Sequence, residues 1–263
     1  MPTRQETMSN LFSCYDELEA LVADLTDAEW EVQSLCPEWT VKGVVSHLAG
    51  VEHALDGWVP VEGDKKLPFN KVGEWLKASS EWSLDQYRNE LAELLQRRRD
   101  QLSAMSDEVF GGWSMTPVGE GTYQRFMNVR VFDFWVHQRD MTIPLGRTTD
   151  DSGPAAELSV DEVEASIGYI VGKKIALADQ MSIAFHLTGA VERDIFANVD
   201  GRAARVDSLD GPASVDVTVD STTFVMLACG RIDPQKAIDN GDITWTGDET
   251  WGETAARNLR FTM

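Results

Sequence analysis

The chain has 263 residues, 44 acidic against 23 basic side chains, and a net charge of −21. That length supplies core for one large or two modest domains. The acidic excess repels phosphate backbones and anionic lipid and argues against nucleic-acid or membrane partners. Charged residues are scattered through the first twenty positions, and no later run approaches the roughly 20 apolar residues of a membrane span, so a cytoplasmic location is expected. Cys14, Cys36 and Cys229 are odd in number and widely separated, which suits small buried hydrophobes better than a disulfide framework or zinc ribbon.

Taken in order, Leu11, Tyr15, Leu18, Val22 and Leu25 recur at helical spacing and predict a helix from Glu6 to Leu25. Thr26-Asp27-Ala28-Glu29 has the form of a capping box. Pro37 breaks the chain, and Thr40 suits the N-cap of a helix whose apolar stripe runs through Val41, Val44, Val45, Leu48, Val51, Leu55 and Trp58. His47 lies angularly between Val44 and Val51 and should point inward. His53, a rotation of roughly 240° further on, faces elsewhere.

Residues 60–82 read as a long connection holding one short helix near 72–78, a candidate lid. Leu84, Tyr87, Leu91, Leu94, Leu95 and Leu102 predict a helix from Ser83 to Met105, with Arg97, Arg98 and Arg99 at solvated positions near its end. Gly-rich turns at 111–112 and 117–121 then lead to a fourth helix around 126–140. Four such helices suggest a bundle, an architecture that builds metal sites from facing side chains.

After Met141, Pro144, Gly146 and the run to Pro154 mark a boundary, so residues 1–148 form an all-α four-helix bundle and 149–263 a second, α+β domain. In the latter, Ser159-Val160-Asp161-Glu162 is a possible capping box for a helix reaching about Ala178. Strands are expected at 181–187, 195–199, 203–206, 214–219 and 243–246, with Asp200-Gly201 as a hairpin turn. Helices are expected at 222–229, ending at Gly230, and from Asp248 onward.

The fourth helix carries Arg130, Asp133, His137 and Asp140, spaced three, four and three apart and hence on one face. Its surroundings, Phe126, Val129, Phe132, Phe134, Trp135 and Val136, leave little polar surface. A buried carboxylate and imidazole need partners or a cation. His47 from the earlier helix could complete a two-histidine, one-carboxylate set with Asp133 and His137, a set used for zinc with an open position and for non-haem iron. No redox motif accompanies it, which favours zinc or a similar divalent ion. The residues leave a plainer arrangement open, in which His47 bonds a backbone carbonyl and Asp133 pairs with Arg130. The chain would then be a non-catalytic binding or sensing protein with a structural or vestigial metal site.

The sequence resembles the mycothiol-dependent maleylpyruvate isomerase family. The likeness rests on Cys36-Pro37-Glu38-Trp39-Thr40 leading to His47-Leu48, and on Arg130, Asp133, His137 and Asp140, which resemble the family's Arg-x-x-Glu-x-x-x-His-x-x-Asp pattern. In the second half it rests on 185–189 (Phe-His-Leu-Thr-Gly), 229–234 (Cys-Gly-Arg-Ile-Asp-Pro), Gly247-Asp248, and the ending from Asn258 to Met263. The resemblance implies a DinB-like metal-binding bundle followed by a domain related to sterol carrier proteins, with His47, Asp133 and His137 as zinc ligands. Asp133 stands where the family usually has Glu, a reach shorter by about 1.5 Å. The resemblance further implies mycothiol as cofactor and a small electrophilic substrate, attacked by a metal-held thiolate, with isomerisation or S-transfer as the outcome. Arg231, Arg257 and Arg260 are candidates to bind substrate carboxylates, which guanidinium groups match bidentately.

Overall fold

The computed structural model describes residues 2–261, and the chain falls into two compact units divided after Thr149. Thr262 and Met263, the end of the C-terminal motif, lie outside the described residues.

The first unit is built on four long helices: α1 (Arg4–Asp24), α3 (Val41–Leu55), α5 (Leu84–Ala104) and α7 (Tyr123–Thr142). Each has a side-chain N-cap, Thr3, Thr40, Ser83 and Thr122 in turn, which accepts from an otherwise unbonded backbone N–H of the first turn. Helix α1 packs on α5 and α7, and α3 packs on the same two, so the four close into a bundle. Shorter elements connect them: α2 (Asp27–Trp30), opened by the anticipated capping box at Thr26; α4 (Val72–Ser79), preceded by a 3-10 turn; and α6 (Asp107–Gly111). The glycine-rich stretch before α7 holds a hairpin that its composition concealed, β1 (Trp113–Thr116) with β2 (Gly119–Thr122).

One expectation for α5 is corrected. Arg98 is not solvated but fully buried, because its place one turn from Leu94, Leu95 and Leu102 puts it on the apolar stripe, where it meets Glu52 of α3. Arg97 and Arg99 do sit nearer the surface, paired with Asp56 and with Asp16 and Glu19.

The second unit has a five-stranded sheet of order β5-β4-β3-β6-β7: β3 (Ser182–Thr188), β4 (Arg193–Asp200), β5 (Arg202–Val206), β6 (Val215–Asp220) and β7 (Ile243–Gly247). Only β3 and β6 run parallel. Alternation sends Ile183, Phe185, Leu187, Val215, Val217 and Val219 into the core with the helices, and leaves His186 and Asp216 on the opposite face. The first helix, α8 (Gly153–Ala165), begins earlier than the capping-box reading placed it: Pro154 occupies the first turn, and the Ser159 hydroxyl donates to the Ala155 carbonyl (2.8 Å) from within the helix. It is followed by a short turn, α9 (Ile167–Tyr169), that continues into a π-helical turn ending at Ile175.

Asp220 caps α10 (Ser221–Ala228) by accepting from the Thr222 and Thr223 amides at 3.0 and 3.1 Å. Gly189, at φ +85°, lies directly against its carboxylate. Gly230, at φ +67°, ends α10 with its amide on the Leu227 carbonyl (2.8 Å) and the Arg231 amide on Met226 (2.9 Å). Helix α11 (Pro234–Asn240) was not anticipated, although Asp233-Pro234 is an N-cap and first-turn pair, and α12 (Glu249–Asn258) starts at Asp248 as expected. Among the described residues no helix is long and apolar enough to cross a membrane.

Candidate metal centre

The face of α7 predicted from its spacing meets α3 as expected. Asp133 lies between two imidazoles, with Oδ2 3.4 Å from His47 Nε2 and Oδ1 3.3 Å from His137 Nε2. The two rings are 4.8 Å apart in an edge-on arrangement. His137 is buried, while His47 and Asp133 keep about a quarter of their side-chain surface open, so the centre can be approached from solvent on one side. Trp39 walls another side: its ring stacks on His47 at 5.0 Å and reaches His137 at 6.0 Å.

Two of the ligand candidates are held from behind. His137 Nδ1 is 2.8 Å from Asp140 Oδ2, an arrangement that places a proton on Nδ1 and leaves Nε2 facing Asp133. Cys36 donates its S–H to the same carboxylate oxygen at 3.2 Å, so this cysteine is more than the small hydrophobe its sequence context suggested. The connection carrying it is fixed to α7 by the Leu35 amide on the Asp140 carbonyl (3.0 Å). Asp133 Oδ2 is also paired with Arg130. Burial alone would raise the Asp133 carboxyl, but the charges of Arg130 and His137 outweigh it and hold the group well below the carboxylate range. Burial likewise opposes charge on His137, yet Asp133 and Asp140 raise it well above its ordinary value.

One element of the plainer arrangement is therefore present, the Arg130–Asp133 pair, while His47 faces the Asp133 carboxylate where that arrangement put a backbone carbonyl. The donors fit a divalent ion. Ligand atoms about 2.0–2.1 Å from a tetrahedral zinc stand about 3.3 Å apart; Asp133 presents Oδ2 to one nitrogen at 3.4 Å and Oδ1 to the other at 3.3 Å, and one donor atom from each of the three residues lies within 4.8 Å of the others. His53 lies elsewhere, 3.6 Å from Glu74 and beside Trp75.

The second unit holds the three arginines. Arg260 packs its guanidinium over Gly230, where a β-carbon would stand 2.8 Å from Nε, and the neighbouring Arg231 donates to the Cys229 carbonyl at 3.2 Å. Arg257 is engaged within α12 by Glu253 at 2.8 Å. A groove of about 680 Å³ between α9 and β5 is lined by Lys173, Arg202 and Arg205 beside Tyr169.

A helical bundle with a His-Asp-His centre, joined to an α+β unit, defines the class. Residues 11–142 match the mycothiol maleylpyruvate isomerase N-terminal domain and residues 157–256 the C-terminal domain of the same family, and the chain belongs to that family of enzymes. Comparison with curated proteins finds no match. Among solved structures, it is similar to the mycothiol-dependent maleylpyruvate isomerase, at 16% identity over 88% of this chain and 90% of that one, with a TM-score of 0.60. A histidine-to-alanine mutant of that enzyme aligns over 99% and 98% at 15% identity and TM-score 0.62. The sterol carrier protein domain 2 of Helicoverpa armigera covers 41% of this chain and 86% of its own length at 16% identity, with a TM-score of 0.30.

Proposed function

We propose that the chain is a mycothiol-dependent enzyme that holds a divalent cation, zinc by its donor set, on His47, Asp133 and His137, and that cis–trans isomerisation of maleylpyruvate is its leading reaction. The observation that carries this is the convergence of three donor groups from α3 and α7 at separations of 3.3 and 3.4 Å. A cation bound there would hold a thiol as its thiolate, the nucleophilic form.

The residues of the chain supply the rest. Asp140 keeps the proton of His137 on Nδ1, Arg130 restrains Asp133, and Trp39 closes one wall, so that reactants enter along the side where His47 and Asp133 are open. Maleylpyruvate is a dicarboxylate whose cis double bond is conjugated to a ketone. Addition of the thiolate sulfur to that bond forms C–S and moves the π pair onto the ketone oxygen. The former double bond, now single, rotates; the pair returns, C–S breaks, and the trans isomer leaves with the thiol regenerated. If a proton is instead taken up at carbon and the adduct departs, the result is S-transfer to an electrophile. Arg231, Arg257 and Arg260 are proposed to bind the carboxylates, with Arg257 needing release from Glu253 to do so.

The test is metal content and turnover together. Purified protein should carry close to one divalent ion per chain and isomerise maleylpyruvate only when mycothiol is added. His137→Ala should lose the ion and the activity while remaining folded. Full activity after exhaustive chelation would overturn the proposal.

A further inference from the structure

Behind the donor cluster lies a second set of buried charges that the reaction does not touch. Glu52, five residues beyond His47 on α3, is fully buried. Its Oε1 accepts from Arg130 Nε at 2.9 Å, and its Oε2 accepts from Arg98 Nε at 2.8 Å and from the Tyr15 hydroxyl at 2.6 Å. Arg98 and Arg130 are 0% and 3% exposed. Glu52 thus has partners on all three other long helices: α1 through Tyr15, α5 through Arg98 and α7 through Arg130.

The consequence for the centre follows from Arg130. The same guanidinium that is bound to Glu52 donates to the Leu48 carbonyl of α3 (3.3 Å) and is paired with Asp133. Arg130 therefore stands between two residues of α3 and one metal-ligand candidate of α7. Its orientation decides where the Asp133 carboxylate lies, and Glu52 is the carboxylate that anchors it on the side of α3. Burial would raise the Glu52 carboxyl, but the two guanidinium groups hold it below the ordinary range, so it persists as an anion in the core.

We infer that Glu52 is a positioning residue for the metal centre: through Arg130 it fixes the Asp133 carboxylate and the spacing of α3 from α7, and so sets the affinity and geometry with which His47, Asp133 and His137 bind a divalent ion. This rests on the metal reading above. A group that merely held the bundle together would affect stability alone; a positioning group must also alter the bound ion.

Cobalt(II), whose absorption reports donor set and geometry, is the probe, titrated into the metal-free full-length chain. Wild type should bind one cobalt per chain and His137→Ala should bind none tightly. If wild type binds none, the metal reading fails and takes this inference with it. Given binding, Glu52→Gln should weaken cobalt affinity about 10–100-fold, the range seen for groups behind a ligand, and change the visible spectrum under conditions where circular dichroism shows it folded. Glu52→Gln that melts earlier yet binds cobalt with wild-type affinity and spectrum would overturn the inference while leaving the metal site standing. Should that variant not fold, Glu52→Gln with Arg98→Met, which removes one charge of each sign and keeps Arg130, is read by the same criteria.

Discussion

A β-carbon at position 43 would stand 2.9 Å from the β-carbon of Trp39 and 3.3 Å from its Cγ. Glycine inside a helix is ordinarily a loss of up to about 1 kcal/mol relative to alanine, so its presence in the first turn of α3 calls for a reason. The reason is Trp39, which must fold back over that turn to stack on His47. The contact is with the stem of the tryptophan, which has little freedom to yield. Gly43→Ala is therefore expected to destabilise by about 1–3 kcal/mol, as overpacked sites do, in urea unfolding monitored by circular dichroism. A gain in stability would show that Trp39 is free to move. At this scale the meeting of His47, Asp133 and His137 side chains was legible because their angular positions follow from counting along helices. Cys36 was not, since it lies in a connection whose path no periodicity describes.

Opposite charges on two apolar stripes are the signal that would have located the buried Glu52–Arg98 pair. Glu52 follows Leu48 by four and Arg98 follows Leu94 by four, each on the inward face of its helix. The run of three arginines masked this by suggesting a solvated patch. Among the strands, short runs bounded by turn residues were enough to place all five, with the alternation clearest at Val215, Val217 and Val219, while the β1–β2 hairpin escaped because its strands are four residues each and β2, Gly-Glu-Gly-Thr, carries no large apolar residue.

The outer face of the sheet carries a testable element of its own. His186 of β3 pairs through Nδ1 with Asp194 of β4 (2.6 Å) and through Nε2 with Asp216 of β6 (3.0 Å), so both ring nitrogens donate and the imidazolium is favoured. The bonds from Asp216 and then Asp194 raise its pKa above the ordinary 6.5. Since the folded value is raised, its contribution is complete below about pH 6.5 and is lost as pH rises through the folded value. The side chain is 38% exposed, so the effect should be a few tenths to about 1 kcal/mol. The urea midpoint of the wild type should fall over that range relative to His186→Gln, and parallel pH profiles would show that the pairs contribute nothing.

For the whole molecule, charge sets a problem that the proposed substrate makes acute. A chain of net charge −21 repels a dicarboxylate at long range, so capture depends on local cations. The paired replacement Arg231→Ala with Arg260→Ala is expected to raise KM for maleylpyruvate at least about tenfold with kcat little changed, the pattern of lost ground-state binding. An unaltered KM would remove these arginines from the substrate site. The division into two units was visible in the sequence as the Pro- and Gly-containing stretch between Pro144 and Pro154, and the matched family segments end and resume on either side of it, at residues 142 and 157. Helix periodicity speaks only about one element at a time, which is why the four bundle helices could be enumerated while their neighbour relations needed the structure.

Glycine 189 and aspartate 220 illustrate what such neighbour relations impose on the chain's future. Any side chain at 189 would strike the carboxylate that starts α10, and would do so from a left-handed backbone that disfavours side chains in any case. Position 189 is consequently held to glycine twice over, by its backbone and by the carboxylate beside it, whereas 220, thirty-one residues on, retains the latitude of a helix cap. Random mutagenesis with selection for folded protein should return variants at 189 rarely, and at 220 mainly Asn, Ser or Thr.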